Sequence, residues 1–255
     1  SREITEFNSK SEYKVFGVFN IEGNQVKAEL SKKFKTYEEA KKFVESCKDK
    51  EFSVKDIAKK PGKKSPAPPF TTSTLQQEAG RKLGYSVSQT MRYAQNLYEN
   101  GFITYMRTDS LNLSSLAINT IKNNITKNYG DDYLHVRKYQ TKVKGAQEAH
   151  EAIRPTFVDN ETIEATKQEQ RLYDLIRKRA IASQMADAKI EKTIVTIGDS
   201  TDKYSFIATG ETIIFDSYLK LYIESTDDDN AEETTSTLPN ILIVAKEKKK
   251  KIEAI

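Results

Sequence analysis

The chain has 255 residues, of which 37% are hydrophobic and 31% are charged, and its formal net charge is +4. This composition is typical of one large or two modest globular domains, and the apolar runs are far too short to span a membrane. The single cysteine excludes an intramolecular disulfide, and two histidines with one cysteine exclude a conventional zinc cluster. The positive charge permits nucleic-acid binding without demonstrating it.

The first sixty residues combine a strand pattern with a helix pattern. YKVFGVFNI, residues 13–21, is rich in β-branched and aromatic side chains and predicts a strand. A capping box formed by Thr36 and Glu39 predicts the start of a helix. Apolar residues then recur at helical spacing and predict its buried face: Tyr37, Ala40, Phe43, Val44 and Cys47. We therefore expect Cys47 to be a core residue rather than a reactive thiol.

A proline-rich stretch follows this region. PGKKSPAPPF, residues 61–70, contains four of the six prolines of the chain. That composition predicts a stiff linker and a domain boundary. Immediately after it, Ser73 and Gln76 form a capping box that predicts the start of a helix over LQQEAGRKLG.

A second short helix is predicted directly after the first. Ser86 and Gln89 form its capping box, and Gly101 ends it. Its helical spacing is carried by Val87, Met91, Ala94 and Tyr98. Two short helices followed by a strand resemble a helix-turn-helix unit with a wing-like strand. Such a unit either reads DNA or serves only as a packing unit, and its shape does not decide between them.

Two longer helices are predicted further along the chain. One spans Ser114 to Tyr129. The other begins with the capping pair Thr166 and Glu169. Its apolar side carries Leu172, Leu175, Ile176 and Ala180.

The last part of the chain returns to strand patterns, namely IEKTIVTIGD, KYSFIATG, ETIIF and ILIVAKE, with turn residues between them. TDDDNAEETTSTLPN, which includes Asp227 to Asp229, predicts a solvated loop rather than a metal site. KEKKKK, which begins at Lys246, predicts a solvated strand edge.

The predicted fold class is α+β. Strand patterns at both ends flank a helical middle, so the simplest architecture is a discontinuous domain with an insertion. The outer domain, residues 1–65 and 189–255, is predicted to be β-rich and barrel-like. The inserted domain, residues 66–188, is predicted to be mainly helical and to contain the helix-turn-helix-like unit.

The stretch GFITYMRTDS, residues 101–110, is a candidate chemical site. On a strand, Ile103, Tyr105, Arg107 and Asp109 would share one face. One interpretation is an ordinary strand with a surface ion pair.

The other interpretation makes Tyr105 a nucleophile. A phenol has a pKa of about 10 and is weak near neutral pH. A guanidinium favours the phenolate and stabilises charge on phosphate oxygens, and Asp109 could orient the Arg107 fork.

A second candidate stretch is QEAHEAIRPT, residues 147–156. It contains His150 between Glu148 and Glu151, with Arg154 four residues later. On a helix, His150 and Arg154 would lie on one face. His150 is either a hydrogen-bond partner for a phosphate or a satisfied, partly buried histidine, and the stretch alone favours the second.

Three motifs taken in order identify a family. PPFTTSTLQQEA, YAQNLYENGFITYMRTDS and QEAHEAIRPT closely resemble the cleavage-domain motifs of bacterial type IA DNA topoisomerase I. The resemblance is dense from Pro68 to Thr156. It is looser in the flanking β segments, where SREITEF and GETIIFDSYLKLY also fit.

The resemblance implies an activity. Tyr105 is expected to attack a DNA phosphodiester and form a 5′-phosphotyrosine link, with Arg107 stabilising the phosphate. Asp109, His150 and Arg154 are expected to support the cleaved strand or contact its phosphates. The second strand then passes through the break, and religation relaxes negative supercoils. The expected partners are single-stranded and negatively supercoiled DNA, with no membrane, in the bacterial cytoplasm at the nucleoid.

The resemblance also implies further domains. The family needs an acidic, Mg²⁺-binding TOPRIM domain with a D-x-D-x-E motif, and a further strand-binding domain, and neither matches this sequence. The chain is thus expected to be the cleavage and β-rich gate or hinge part of a larger enzyme. We expect it to bind no Mg²⁺ of its own and to be inactive alone.

Three alternatives are open from the residues. A tyrosine recombinase also uses a tyrosine with Arg and His, but its tyrosine follows the histidine, whereas Tyr105 precedes His150. A non-catalytic DNA-binding module would use the helix-turn-helix-like unit. Its recognition helix should be basic, yet the predicted helix carries Arg92 together with Glu99. A purely structural domain would leave Tyr105 inert.

Overall fold

The computed structural model of the chain describes residues 12–21, 24–48, 50–139, 150–199 and 203–225, and the backbone of 253–254. The chain divides into two compact units. The first consists of Ser1–Gly62, Glu191–Thr212 and Asn230–Ile255, and the second of Lys63–Ile190 and Ile213–Asp229. The mixture of helix and sheet confirms the α+β content that the sequence predicts.

The first unit is built on a sheet of strands. These are β1 (Phe16–Ile21), β2 (Asn24–Leu30), β3 (Phe52–Lys64), β4 (Ala188–Asp199), β5 (Ser205–Phe215) and β6 (Glu253–Ala254). Their order is β3-β4-β5-β2-β1-β6, and β1 pairs antiparallel with β2 and β6. Among these described strands the order is open, with no pairing that closes a barrel. KYSFIATG and ETIIF form one strand, β5, rather than two segments separated by a turn.

An aromatic cluster forms the core of the first unit. Phe19 is 1% exposed, and its ring meets the Phe52 and Phe206 rings edge-on at 5.5 and 5.2 Å. Helix α1 (Tyr37–Cys47) begins after the N-cap Thr36, as the sequence predicts, and packs on this core through Ala40, Phe43 and Cys47.

The predicted buried face of α1 is only partly correct. Tyr37 and Val44 are 59% and 49% exposed, because the helix touches the sheet over a narrower stripe than its apolar pattern covers. Cys47 is half-buried, and burial raises the pKa of its thiol above the ordinary value, which keeps it an unreactive thiol near neutral pH.

The proline-rich stretch is not entirely a linker. Strand β3 runs through Pro61 to Lys64, so the first four residues of the predicted linker belong to the sheet. β3 stands at the end of the strand order. An edge strand tolerates proline because one side of its backbone needs no ladder donor.

The described part of the second unit contains four helices: α2 (Thr72–Leu83), α3 (Val87–Glu99), α4 (Ser115–Tyr129) and α5 (Lys167–Ser183). Short 3-10 turns lie at Asp131–Tyr133 and Ser217–Lys220. The helices converge on α5, whose predicted apolar residues Leu172, Leu175, Ile176 and Ala180 are all buried. The capping boxes at Ser86 and Thr166 and the cap at Ser114 are confirmed.

The cap of α2 differs from the sequence prediction. Thr71, not Ser73, is the N-cap, and it forms a capping box with Thr74. The helix consequently starts two residues early, and Thr72 becomes its first residue. Gly84, with φ +71°, ends α2 and leads into α3. No strand follows α3 in the described segment, so the predicted wing-like strand is wrong, while a DNA-reading role for the helix pair stays a prediction.

A buried charged network ties three chain segments of the second unit together. Arg179 on α5 is 3% exposed and donates from Nε to the Pro68 carbonyl (2.6 Å). Its Nη1 donates to the Tyr222 hydroxyl (3.2 Å) and to Glu224 (3.0 Å). The Tyr222 hydroxyl in turn donates to the buried carboxylate of Glu78 on α2 (2.9 Å). Each buried polar group of this network therefore has a partner.

Several predicted features lie outside the described residues. They are SREITEF, the loop TDDDNAEETTSTLPN, ILIVAKE, KEKKKK, and the residues Gln147, Glu148 and Ala149. Over the described ranges, no helix combines the length and apolarity that crossing a membrane requires.

Candidate functional site

The stretch GFITYMRTDS does not form the predicted strand. Between Gly101 and Ser110 only one isolated bridge occurs, joining Ile103 to Pro155. Gly101 turns the chain with φ +74°, and the residues after it bend rather than extend. Ile103 is 2% exposed and does not share a face with Tyr105. The rest of the alternation holds, because Tyr105, Arg107 and Asp109 are exposed while the residues between them are buried.

The stretch containing His150 lies against the tyrosine stretch. Residues 150–156 are not helical. The Thr104 amide donates to the Arg154 carbonyl and the Thr156 amide to the Phe102 carbonyl, both at 2.9 Å. On the other side, the Ile153 amide donates to the Phe70 carbonyl at 2.8 Å. The three motifs of the sequence are thereby bound to one another through their backbones.

Tyr105 lies between two aromatic rings. The Tyr98 ring meets it edge-on with centroids 5.2 Å apart, and the His150 ring lies 6.0 Å away with the planes tilted by 37°. Tyr105 itself is 38% exposed. The structure thus brings Tyr105 and His150 together and leaves the phenol accessible to a ligand.

Arg107 and Asp109 are placed differently from the hypothesis of an oriented fork. Both side chains are exposed. Within the described part of the chain, no ion pair joins them, so Asp109 does not orient the Arg107 guanidinium. Arg107 lies two residues after Tyr105 and its side chain is exposed to solvent. An exposed guanidinium is well suited to bind an anion.

Arg154 is tied into the protein rather than presented to a ligand. Its Nη2 lies 2.5 Å from the Glu151 carboxylate, and its Nη1 donates to the Pro155 carbonyl at 3.0 Å. The other Glu151 oxygen accepts from the Ser114 amide at 2.5 Å, at the start of α4. Burial alone would raise the pKa of Glu151, but the bonds from Ser114 and Arg154 outweigh it and hold that pKa below its ordinary value. This pair therefore anchors the His150 stretch to α4.

Two residues of the site are not singled out by sequence patterns. Tyr98 has helical spacing that predicts a core position, yet it is 40% exposed and packs on Tyr105. Thr72 escapes prediction because the capping rule favours Ser73 as the start of α2, which would leave Thr72 outside the helix. In the structure its hydroxyl donates to the Met106 carbonyl of the tyrosine stretch, 34 residues away. Its place within the motif PPFTTSTLQQEA is the one signal that could have found it.

The side chains around Tyr105 do not by themselves fit a magnesium site. Among the described residues, no group of three or more His, Cys, Asp or Glu side chains could hold a metal ion. What the arrangement offers chemically is an accessible phenol, an adjacent imidazole and an exposed guanidinium, which are groups suited to a phosphate ester.

The chain is similar to known proteins over most of its length. The sequence model of a family described as DNA topoisomerase matches residues 1–254. A DNA topoisomerase 1 of Zymomonas mobilis is 51% identical over 179 residues, which cover 69% of this chain and 15% of that protein. One from Rickettsia felis is 42% identical over 255 residues, which cover 94% of this chain and 33% of that protein.

A solved structure agrees with the sequence matches. Full-length topoisomerase I from Thermotoga maritima superposes with a TM-score of 0.69 at 36% identity, over 89% of this chain and 38% of that one. The chain thus spans a minor part of the length of each of these relatives. Together these matches confirm the resemblance that the three motifs indicate, and the chain therefore belongs to the DNA topoisomerase family of isomerases.

Proposed function

We propose that Tyr105 is the nucleophile of a type IA DNA topoisomerase, which cleaves one DNA strand transiently and reseals it. The observation that carries the proposal is the position of the Tyr105 ring. It is exposed, lies 6.0 Å from the His150 ring, and stands on a stretch bonded by its backbone to the histidine stretch. A tyrosine that served only to pack against its neighbours would need neither this exposure nor an imidazole beside its ring.

The proposed reaction is a transesterification, in which a phosphodiester of DNA is exchanged for a phosphotyrosine ester. The Tyr105 oxygen attacks the phosphorus of a backbone phosphodiester, and a new O–P bond forms to the 5′ side of the break. The bond from phosphorus to the 3′ oxygen breaks, and the proton of the phenol ends on that oxygen. Religation is the reverse reaction, so the bond energy is kept in the protein link and no co-reactant is consumed.

The remaining site residues are assigned roles by their positions. Arg107, exposed and without an ion-pair partner in the described chain, neutralises the charge that grows on the phosphate oxygens. His150 orients the scissile strand beside Tyr105. Arg154 acts through Glu151 to hold the His150 stretch in place, rather than by contacting a phosphate itself. Asp109, exposed two residues after Arg107, supports the cleaved strand without orienting the Arg107 guanidinium.

The whole enzyme extends beyond these residues. We infer that residues 66–188 form the cleavage domain, and that residues 1–65 and 189–255 form the gate or hinge that moves it. Mg²⁺ is then held by TOPRIM residues that this sequence does not contain, and single strands of negatively supercoiled DNA are the substrate. A bacterial cytoplasmic enzyme at the nucleoid is the setting that this role implies.

The nucleophile is tested in a chimera, made by replacing the matching region of the Rickettsia felis DNA topoisomerase 1 with this chain. A 3′-end-labelled single-stranded oligonucleotide should transfer its label to the protein, because the 5′ phosphate stays on the tyrosine. Tyr105→Phe should abolish the labelled band. Tyr129→Phe, which removes a hydroxyl from α4, should leave it unchanged. A labelled band with Tyr105→Phe, or none with the unsubstituted chimera, contradicts the proposal.

The chain alone should not relax a negatively supercoiled plasmid in the presence of Mg²⁺, because the metal site is missing. It should bind single-stranded DNA weakly, and less at high salt. Arg107→Ala should weaken that binding more than Arg92→Ala does, since the Arg92 guanidinium lies over the Tyr93 ring on α3. The opposite order would favour the non-catalytic DNA-binding alternative. If the chain alone relaxed the plasmid, the proposal that its metal site lies in another domain would be wrong.

A further inference from the structure

The backbone around Tyr105 needs partners that a strand would have supplied. Since residues 104–108 form no ladder, their amide and carbonyl groups have to be satisfied in another way. The Thr72 hydroxyl, at the first position of α2, does this for Met106 and Thr108. The Thr104 amide donates to the Arg154 carbonyl, and the Thr104 hydroxyl bonds to backbone groups of the histidine stretch.

The Thr104 hydroxyl holds the stretch just before Tyr105. It donates to the Ala152 carbonyl at 2.7 Å and accepts from the Arg154 amide at 3.0 Å. The hydroxyl therefore bonds to the histidine stretch on both sides of Ile153. The residue before Tyr105 cannot shift without breaking both of these bonds.

The Thr72 hydroxyl holds the stretch on both sides of Arg107. It donates to the Met106 carbonyl at 2.8 Å and accepts from the Thr108 amide at 2.9 Å. The Thr72 amide adds a bond to the Thr108 carbonyl at 2.9 Å. Both neighbours of the exposed Arg107 are thus bonded to one residue of α2, while Arg107 itself bonds to nothing in the described chain.

We propose that Thr72 is a positioning residue for strand cleavage, whose hydroxyl fixes the Met106 and Thr108 backbone so that Arg107 faces the phosphate attacked by Tyr105. This inference rests on the proposed function, since it assigns Thr72 a role only if Tyr105 and Arg107 act on one phosphate. Thr72 touches neither the substrate nor the reacting atoms. Its effect is geometric, and displacement of a reacting group by about 1 Å costs up to about a hundredfold in rate.

The hydrogen bond itself is tested on this chain by amide exchange measured with NMR. Thr72→Val keeps the shape of the side chain and removes the hydroxyl. It should speed exchange of the Thr108 amide about tenfold or more, because that amide loses its acceptor. Thr72→Ser, which keeps the hydroxyl, should restore slow exchange. An unchanged Thr108 amide in Thr72→Val overturns the inference.

A matched control separates positioning from a general loss of stability. Thr90→Val removes a hydroxyl from the first turn of α3, where it donates to the Ser86 carbonyl at 2.9 Å rather than to the backbone of the tyrosine stretch. It should lower the melting temperature about as much as Thr72→Val does, with exchange of the Thr108 amide unchanged. If valine is not accommodated at Thr72, Thr72→Ala serves as the second variant.

The catalytic consequence is tested in the chimera with the labelled oligonucleotide. Thr72→Val should slow single-turnover formation of the covalent complex about tenfold, with oligonucleotide affinity within about twofold. Thr72→Ser and Thr90→Val should cleave at the unsubstituted rate. Cleavage by Thr72→Val at that rate overturns the positioning role, while loss of the complex in Tyr105→Phe leaves the proposed function standing. If Tyr105→Phe still forms the complex, both proposals fall.

Discussion

Replacing Arg179 with methionine is the sharpest test of how the second unit is held together. Arg179 is 3% exposed and bonds to the Pro68 carbonyl, the Tyr222 hydroxyl and the Glu224 carboxylate. Its guanidinium also lies over the Phe70 ring, 4.8 Å from the centroid. Methionine fills most of the same volume, so the substitution removes the charge and the donors while leaving only a small cavity.

The loss follows from which partners are left behind. The Glu224 side chain is 52% exposed, so water replaces its bond and that pair contributes little. The Pro68 carbonyl and the Tyr222 hydroxyl each lose a charged donor, at roughly 1.5 kcal/mol apiece. The cation contact with Phe70 adds about 0.5 kcal/mol. We therefore expect Arg179→Met to lower the free energy of unfolding by about 3.5 kcal/mol.

Urea denaturation of the chain measures this loss. The control is Lys178→Met, the preceding residue on α5. Its side chain is 41% exposed, and its bond to Asp174 at 2.7 Å is a surface pair. That substitution should change the free energy of unfolding by less than about 0.5 kcal/mol. A loss below about 1 kcal/mol for Arg179→Met would show that the network does not stabilise the unit as argued.

Two further predictions concern the tyrosine site. Because the pKa of Glu151 is lowered in the folded chain, its ion pair contributes stability above the ordinary carboxyl pKa of 4.5 and loses it as the pH falls through the folded value. The stability difference between the natural chain and Glu151→Gln, from thermal unfolding at pH 7 to 3, should therefore shrink below about pH 4.5. Gly101→Ala should cost about 1 kcal/mol in urea unfolding, since φ is +74° and the added Cβ meets nothing within 4 Å.

Each of these two predictions has an outcome that contradicts it. A Glu151→Gln difference that stays constant from pH 7 to 3 would mean that the carboxylate is not held by its ion pair. For glycine, the same change at Gly80 inside α2 is the control, because a Cβ there meets the Tyr85 carbonyl only at an ordinary 3.6 Å. Gly80→Ala should stabilise the helix by up to about 1 kcal/mol, so equal effects at both glycines would refute the role of the positive φ.

Signals confined to one turn of chain predict the helices well. In each capping box the two side chains bond to each other's backbone amides within four residues, as in Ser86 with Gln89 and Thr166 with Glu169. The residues that start each helix are therefore neighbours in the sequence. Where two possible N-caps lie close together, the sequence does not determine which of them starts the helix. Both Thr71 and Ser73 could begin α2, and the earlier start agrees with the bonds that place Thr72 against the tyrosine stretch.

Position in the sheet is not encoded locally. Pro61 predicts a linker by its composition, yet it lies in β3, because the edge of a sheet tolerates a missing donor. Likewise, GFITYMRTDS has the alternation of a strand, but among the described residues it pairs only through the isolated bridge at Ile103. The Thr72 hydroxyl instead bonds to the Met106 carbonyl and the Thr108 amide.

The sequence by itself identified the family and singled out Tyr105, Arg107 and His150 as candidate site residues, because they belong to motifs whose order is typical of that family. It also determined the helices, whose hydrogen bonds close over three or four residues. Only the tertiary structure decided that Tyr105 meets His150, that Arg154 pairs with Glu151, and that Asp109 forms no ion pair with Arg107 within the described residues. Those contacts depend on backbone groups tens of residues apart finding partners around one buried core, which no local pattern specifies.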